Sequence, residues 1–432
     1  MNVLNVCLCN DSFPPLIDGV ANAVLNYASV INSEYGRSVV AVPEYPDVTD
    51  NYSFPVIRYP NINTTRFIGY RAGMPFSPDI LSKFNAMGID LIHSHCPAAS
   101  TILARGLLEI VNAPVVFTYH TKFDIDIARA IKGNFLQDMA IKMLVENISA
   151  CDEVWVVSRG AGDNLRSLGY GGDYIVMENG VDLPLGTVSP EKIAEVTGTY
   201  DLPSGLPVFL FVGRLMWYKG IDLMLDSLSC LKERGAAFRM VFIGDGGDRE
   251  EIEKRAGELG LEECIFVGAV SDRDDLRAWY CRADILLFPS TFDTNGLVVR
   301  EAAACSLGSI LVRDSCAAEG VTDGRNGILI EKDVPCLTEK LLALCSADGA
   351  EQMKRIGEAA AKELYISWED SIGRAFSRYE TVCENWKSGL YENRRKDPLD
   401  DLYSIFGDIG AVLERARSTT QKLKGLFDGR YL

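Results

Sequence analysis

From Val3 to about Ile330 the chain repeats one pattern: a short apolar run, a turn of glycine or polar residues, then a segment with helical spacing. The runs include Val3–Cys9, Ser38–Val42, Leu91–His95, Pro114–Thr121, Glu153–Ser158 and Tyr174–Met177. They resume with Pro207–Val212, Met240–Ile243, Ile265–Val270, Ile285–Phe288, Ile310–Val312 and Gly327–Ile330. Runs this short and continuous read as strands buried on both faces. Strands alternating with helices form parallel, doubly wound sheets, so the expected class is α/β with Rossmann-like units. The pattern pauses once. Asn179-Gly180-Val181-Asp182 is a strong turn, and Leu183 to Pro203 carries no period. The expected division is a Rossmann-like domain over 1–185, a second over 186–369, and C-terminal helices with a charged tail over 370–432.

Composition removes several function classes. A net charge of −17 argues against general nucleic-acid binding. The 12 cysteines are scattered with no CxxC pair, which reads as reduced thiols in a cytoplasmic protein. The first apolar run lacks a basic lead, and no run approaches the ~18 residues that span a bilayer. Any membrane contact is therefore expected to be peripheral. The fingerprint G-x-G-x-x-G is absent after the first strand, which weakens a nicotinamide or flavin reading.

Two loops in the second half carry anion chemistry. Phe288 to Ala303 reads strand, turn, helix, with Asp293 on the turn and Glu301 in the helix. Gly296 lets a ligand approach the backbone, and the helix start at Leu297 and Val298 offers unpaired amides to a phosphate. The other loop is Gly213-Arg214-Leu215-Met216-Trp217-Tyr218-Lys219-Gly220. Arg214 supplies a planar fork and Lys219 a point charge, a pairing suited to a diphosphate. A plain buried turn with a solvated carboxylate remains the competing reading. Asp248 with Glu251 has capping-box spacing at the next helix start. Asp124-Ile125-Asp126 and Asp272-Arg273-Asp274 match a metal-binding DxD string; in the second, Ser271 and Asp272 are expected to cap a helix instead.

All three histidines, His93, His95 and His120, stand at strand ends in the first half. Such ends are where open α/β sheets bind ligands. One reading makes the three a metal site, since residues i and i+2 of a strand share a face. Another makes His120 a hydrogen-bonded core histidine.

Taken in order, these blocks resemble the retaining, GT-B-fold glycosyltransferases of family 4, and most closely the lipid-glycosylating members. The carrying strings are Asp18-Gly19-Val20, Tyr119-His120-Thr121, Asn179-Gly180-Val181-Asp182, Gly213-Arg214 with Lys219-Gly220, Asp293 separated from Glu301 by seven residues, and Asp323-Gly324-Arg325-Asn326-Gly327. Asp293 stands where the family usually has Glu, and Asn295 where it usually has Phe. The resemblance implies two Rossmann-like domains facing a cleft and a nucleotide-sugar donor, with UDP preferred. It implies donor contacts from Gly19, Arg214, Lys219, Ala269, Asp293, Gly296, Leu297, Val298 and Glu301. His120, Asp293, Arg214 and Lys219 are the implied catalytic set, with no cofactor and no essential metal. The implied acceptor is a lipid or glycan, met at the inner membrane face where it is lipid. A basic and apolar stretch after Lys122, with Ile127, Ile131, Phe135, Ile141 and Met143 among Arg129, Lys132 and Lys142, suits either an interface or a core face. Epimerase or phosphorylase chemistry on the same fold, or a non-catalytic subunit, remain the alternatives. The tail is expected to be helical from Leu402 to Leu426.

Overall fold

The computed structural model describes residues 3–16, 18–63, 71–74 and 78–391. The tail helix expected over Leu402 to Leu426 lies outside them. The chain forms two compact units. One comprises the chain up to Trp155, Asn164–Ile175 and the chain from Ala375 onward. The other comprises Val156–Asp163 and Val176–Arg374.

The first unit is built on a seven-stranded sheet. Its strands are β1 (Asn5–Cys9), β2 (Arg37–Pro43), β3 (Val56–Tyr59), β4 (Leu91–Ser94), β5 (Val115–Tyr119), β6 (Glu153–Val156) and β7 (Ile175–Val176). They lie in the order β3-β2-β1-β4-β5-β6-β7. β1 pairs in parallel with both β2 and β4, and β4 with β5. The order thus reverses beside β1, a place where such sheets bind ligands at the strands' carboxyl ends. Val6, Cys7, Leu8 and Cys9 of β1 are fully buried, as a strand covered on both faces requires. The structure adds β3, which is absent from the sequence reading. It is a four-residue edge strand with alternating burial, too short to declare itself.

The second unit carries a six-stranded sheet of β8 (Val208–Val212), β9 (Arg239–Ile243), β10 (Cys264–Gly268), β11 (Ile285–Phe288), β12 (Ser309–Val312) and β13 (Ile328–Ile330). The order is β10-β9-β8-β11-β12-β13, with every neighbour parallel. Here the order reverses between β8 and β11. The core is aromatic and aliphatic: Phe209, Phe211, Phe242, Leu286 and Leu287 are at most 1% exposed. Each such side chain stabilises the fold by roughly 1.5–3 kcal/mol when buried. Glycine closes the gap at the strand ends. A Cβ on Gly244, at φ +133°, would lie 1.9 Å from the carbonyl oxygen of Gly213, so no other residue fits there.

Two capping expectations had opposite outcomes. Asp272 caps α7 (Arg273–Arg282), its Oδ1 accepting from Asp275 N at 2.9 Å. Asp248 precedes α6 (Arg249–Glu258) without capping it. Its Oδ2 accepts instead from Trp217 N at 2.9 Å, and Glu251 accepts from the Trp217 indole at 3.2 Å. The two carboxylates hold the Arg214–Lys219 loop rather than their own helix start. The other labelled helices are α1 (Gly19–Val30), α2 (Ala99–Val111), α3 (Phe123–Ala130), α4 (Asn134–Ser149), α5 (Ile221–Glu233), α8 (Leu297–Ala304) and α9 (Trp368–Lys387). Among the described residues, no helix is long and apolar enough to cross a membrane. All twelve cysteines are free thiols.

Candidate active site

In the second unit, Lys219 follows β8 and Asp293 follows β11, the two strands at the reversal. The short connection from β8 curls through a 3-10 turn at Trp217–Lys219 and delivers Lys219 to the base of α5. Lys219 Nζ lies 2.6 Å from Asp293 Oδ1. The ammonium is also 5.7–5.8 Å from the ring centres of Tyr218, Phe288 and Phe292, so it is caged by π-faces. Asp293 Oδ2 is buried and has no partner. A carboxylate oxygen left so is an acceptor waiting for a donor. Arg214 is exposed, with its guanidinium 6.0 Å from the Tyr218 ring.

α8 begins at Gly296, at φ +59°, with no side-chain cap. A Cβ there would lie 2.7 Å from that of Ala317, so glycine is required by backbone and neighbour alike. Helix geometry leaves the amides of Leu297 and Val298 without intrahelical partners, and the positive dipole end points outward there. Asn295 is 8% exposed, and its Nδ2 is buried with no partner. Ala269, just past the left-handed Gly268 that ends β10, is exposed.

Glu301, one turn into α8, is held by two residues the sequence reading passed over. Arg273 donates to Oε1 at 2.8 Å, and the Tyr280 hydroxyl donates to Oε2 at 2.9 Å. Burial works against the Arg273 charge, yet Glu301 beside it holds the guanidinium above its ordinary value. Burial and the same carboxylate push the Tyr280 hydroxyl well up, so it stays a donor. Arg273 belongs to the DxD string Asp272-Arg273-Asp274. The basic residue of that string, rather than its acids, reaches the site. Its place immediately after the capping Asp272 was the available signal.

In the first unit, Asp18 caps α1, its Oδ1 accepting from Val20 N at 2.8 Å and Ala21 N at 2.7 Å. Gly19 is exposed, and a Cβ on it would meet nothing within 4 Å. No packing in the unit demands glycine there. At the end of β1, buried Asp11 accepts from Ser100 N at 2.8 Å, near the start of α2. Burial raises its pKa to about 6, although hydrogen bonds from Cys96 and Ser100 pull it down.

The histidines separate into two roles. His93 has both nitrogens occupied, Nδ1 by the Tyr379 hydroxyl at 2.5 Å and Nε2 by Thr118 Oγ1 at 2.7 Å. It ties β4 to α9 and to β5. His95 Nδ1 and His120 Nε2 are 2.9 Å apart. Burial pushes all three pKa values down, that of His120 to about 3, so the rings are neutral. The trio does not converge as ligands. Among the described residues, no group of three His, Cys, Asp or Glu side chains is arranged to hold a metal.

Comparison with known proteins places the chain in a family. Residues 17–184 match the family model described as Glycosyltransferase Family 4, and residues 195–363 match that of Glycosyl transferases group 1. A D-inositol 3-phosphate glycosyltransferase of Xylanimonas cellulosilytica is 27% identical over 62% of this chain and 66% of its own length. An alpha-monoglucosyldiacylglycerol synthase of Acholeplasma laidlawii is 22% identical over 76% of this chain and 85% of its own. The crystal structure of the Anabaena protein HepE in complex with UDP has a TM-score of 0.63 at 18% identity, covering 90% of this chain and 100% of that one.

Proposed function

Because the chain belongs to the family 4 glycosyltransferases of GT-B fold, we propose that it is a retaining hexosyltransferase that uses a UDP-sugar and a lipid or glycan acceptor. The Lys219–Asp293 pair beside the uncapped start of α8 carries the reading. It joins a cation, a helix dipole and an open carboxylate oxygen in one place. A diphosphate takes the positive charge of Lys219 and Arg214 and the amides of Leu297 and Val298. Asp293 Oδ2 accepts from a hydroxyl of the donor sugar. Glu301, already aligned by Arg273 and Tyr280, accepts from the ribose hydroxyls, and the exposed backbone at Ala269 meets the base.

In the reaction the acceptor oxygen bonds to the anomeric carbon on the leaving-group side. The bond from that carbon to the diphosphate oxygen breaks, and its electron pair leaves with UDP. The acceptor proton passes to a phosphate oxygen of the departing nucleotide. Arg214, Lys219 and α8 stabilise the growing negative charge, so no divalent ion is required. Gly19 and His120 complete the proposed set of residues. The name of the HepE complex supports UDP, and that of the Acholeplasma synthase supports a lipid acceptor. In the lipid case the enzyme works at the cytoplasmic face of a membrane, touching it peripherally.

The test is a panel of nucleotide sugars scored by thermal shift, followed by turnover with diacylglycerol-based and soluble glycan acceptors. A UDP-sugar should stabilise the chain by about 2.7 kcal/mol at a hundredfold excess over Kd. Formation of an epimer or a sugar phosphate without acceptor would point to the other chemistries on this fold. Binding of no nucleotide sugar would overturn the proposal.

A further inference from the structure

The His95–His120 contact says more than that two buried rings touch. His95 continues the β4 edge, its amide donating to Cys9 O at 2.9 Å, and is 1% exposed. Its ring is wedged against Tyr27, with centroids 5.2 Å apart at 66°, and against His93 at 3.9 Å. His93 is itself fixed by Tyr379 and Thr118. His95 therefore has little freedom to turn. On its other side it lies 5.2 Å from the His120 ring, the two planes 26° apart.

Two neutral imidazoles joined by one hydrogen bond must divide the roles: one nitrogen donates and the other accepts. If His120 donated from Nε2, His95 would carry its own proton on Nε2. That nitrogen is buried and has no partner. An orphaned buried N–H is rarer than an orphaned acceptor. The opposite arrangement leaves only a lone pair at that position.

We propose that His95 is a positioning residue that donates Nδ1–H to Nε2 of His120 and so fixes His120 as the tautomer protonated on Nδ1. Its consequence for turnover rests on the role given to His120 above. The hydrogen-bond assignment does not. Protonating His120 at Nε2 would turn His95 Nδ1 into the acceptor and move its proton to the buried, partnerless Nε2, so His95 also favours neutral His120.

The chain has 3 histidines, so isotope-labelled histidine yields few enough imidazole signals to assign by substitution. Ring-nitrogen shifts of the full chain, with no substrate added, report the tautomer directly. His120 is expected to carry Nδ1–H at neutral pH. His95→Phe should give a mixture of tautomers. His95→Asn, whose Nδ2–H falls near the place of ring Nδ1, should restore the original signal. A His120 protonated on Nε2 in the unsubstituted chain, or an unchanged signal in His95→Phe, overturns the proposal. If His95→Phe does not fold, the unsubstituted chain and His95→Asn still decide. With UDP-glucose as probe donor, His95→Phe should lower kcat about 10²-fold at unchanged KM, the scale of a misplaced reacting group, and His95→Asn should recover it. Failure of the unsubstituted chain to turn over any nucleotide sugar counts against the proposed function and leaves the spectroscopic result standing.

Discussion

Lys219 and Asp293 neutralise each other across 2.6 Å, while the second oxygen of Asp293 is buried with no partner. They come from loops after the two strands at which the second sheet reverses order. In the proposed function a diphosphate arriving at α8 would compete with Asp293 for Lys219. Donor binding would then exchange one partner of the ammonium for another.

This pair separates two substitutions that look alike in the sequence. Arg214 is exposed and Lys219 is 7% exposed. Arg214→Ala should leave stability within about 0.5 kcal/mol and slow turnover ~10²-fold, because it removes charge from the leaving group alone. Lys219→Ala should slow turnover at least as much and also cost roughly 1–3 kcal/mol, since it strands the Asp293 carboxylate. Adding Asp293→Asn to Lys219→Ala should return part of that stability and none of the activity. Denaturant midpoints and initial rates on the three variants check it. Near-normal rates in both single variants would remove the diphosphate assignment.

The nucleoside side gives a different signature. Tyr280→Phe deletes one hydrogen bond to Glu301 and keeps the ring. UDP affinity by calorimetry should fall about five- to tenfold, the worth of ~1 kcal/mol. The kcat at saturating donor should be unchanged, because the ribose contact is the same before and during transfer. A fall in kcat with affinity intact would move Glu301 from the ribose to the reacting sugar.

Much of this site was legible in the sequence because glycine, charge and strand ends mark it locally. Gly296, Lys219 and Asp293 each sit in the loop that leads from a strand to the next helix. The partners that make those residues work were not legible. Tyr280 meets Glu301 from another helix, and Tyr379 meets His93 across 286 residues of chain. Nothing in the spacing of a buried tyrosine tells which carboxylate or imidazole it will face. Asp248 and Glu251 were misleading for a related reason. Their spacing fits a cap, but the Trp217 amide and indole compete for the same oxygens and win. The fold was easier, since period and turn chemistry repeat twelve times and a single lapse, such as β3, does not alter the class.

The buried imidazoles set the acid stability. The pKa values of His93, His95 and His120 lie below the ordinary ~6.5. The unfolded chain therefore binds more protons than the folded one as pH falls below about 6.5. Their stabilisation is present above that value and is lost on acidification, by ~1.4 kcal/mol per pH unit for each histidine, for His120 until about pH 3. Asp11 acts with the opposite sign. Its raised pKa, about 6, means that its contribution is full below the unfolded ~3.9 and is lost as pH rises through about 6. With three groups against one, unfolding free energy should fall steadily from pH 6.5 to 4.5. Urea melts at four pH values test this, and a flat profile would contradict the burial of the trio.

Turnover is expected to persist in excess EDTA. In the proposed function Arg214, Lys219 and the start of α8 would supply the positive charge that a divalent ion supplies elsewhere. Chelation that abolishes activity, with recovery on adding Mg²⁺ or Mn²⁺, would require a metal between the protein and the diphosphate.

The acceptor prediction turns on one loop. The basic, apolar stretch after Lys122 divides at Gly133, at φ +102°, into α3 and α4. Part of its apolar surface faces the unit: Ile127 and Ile141, with Leu144, Val145 and Ile148 further along α4, line a hollow against Tyr119. That is the core reading of the stretch, and it accounts for those residues. It does not account for Phe135, which is 70% exposed at the start of α4, or for Leu136 at 38%. Lys132 and Lys142 are exposed in the same helix pair. An aromatic tip beside lysines inserts into an anionic interface, each lysine adding ~1 kcal/mol near the surface. We expect the full chain to float with vesicles containing anionic lipid at low salt, and to release at high salt. Phe135→Asp should abolish flotation and leave turnover on a detergent-solubilised or soluble acceptor intact, because Phe135 is 70% exposed and has no assigned role in transfer. If the unsubstituted chain never floats and turns over a soluble glycan, the acceptor is not a membrane lipid and Phe135 meets some other surface.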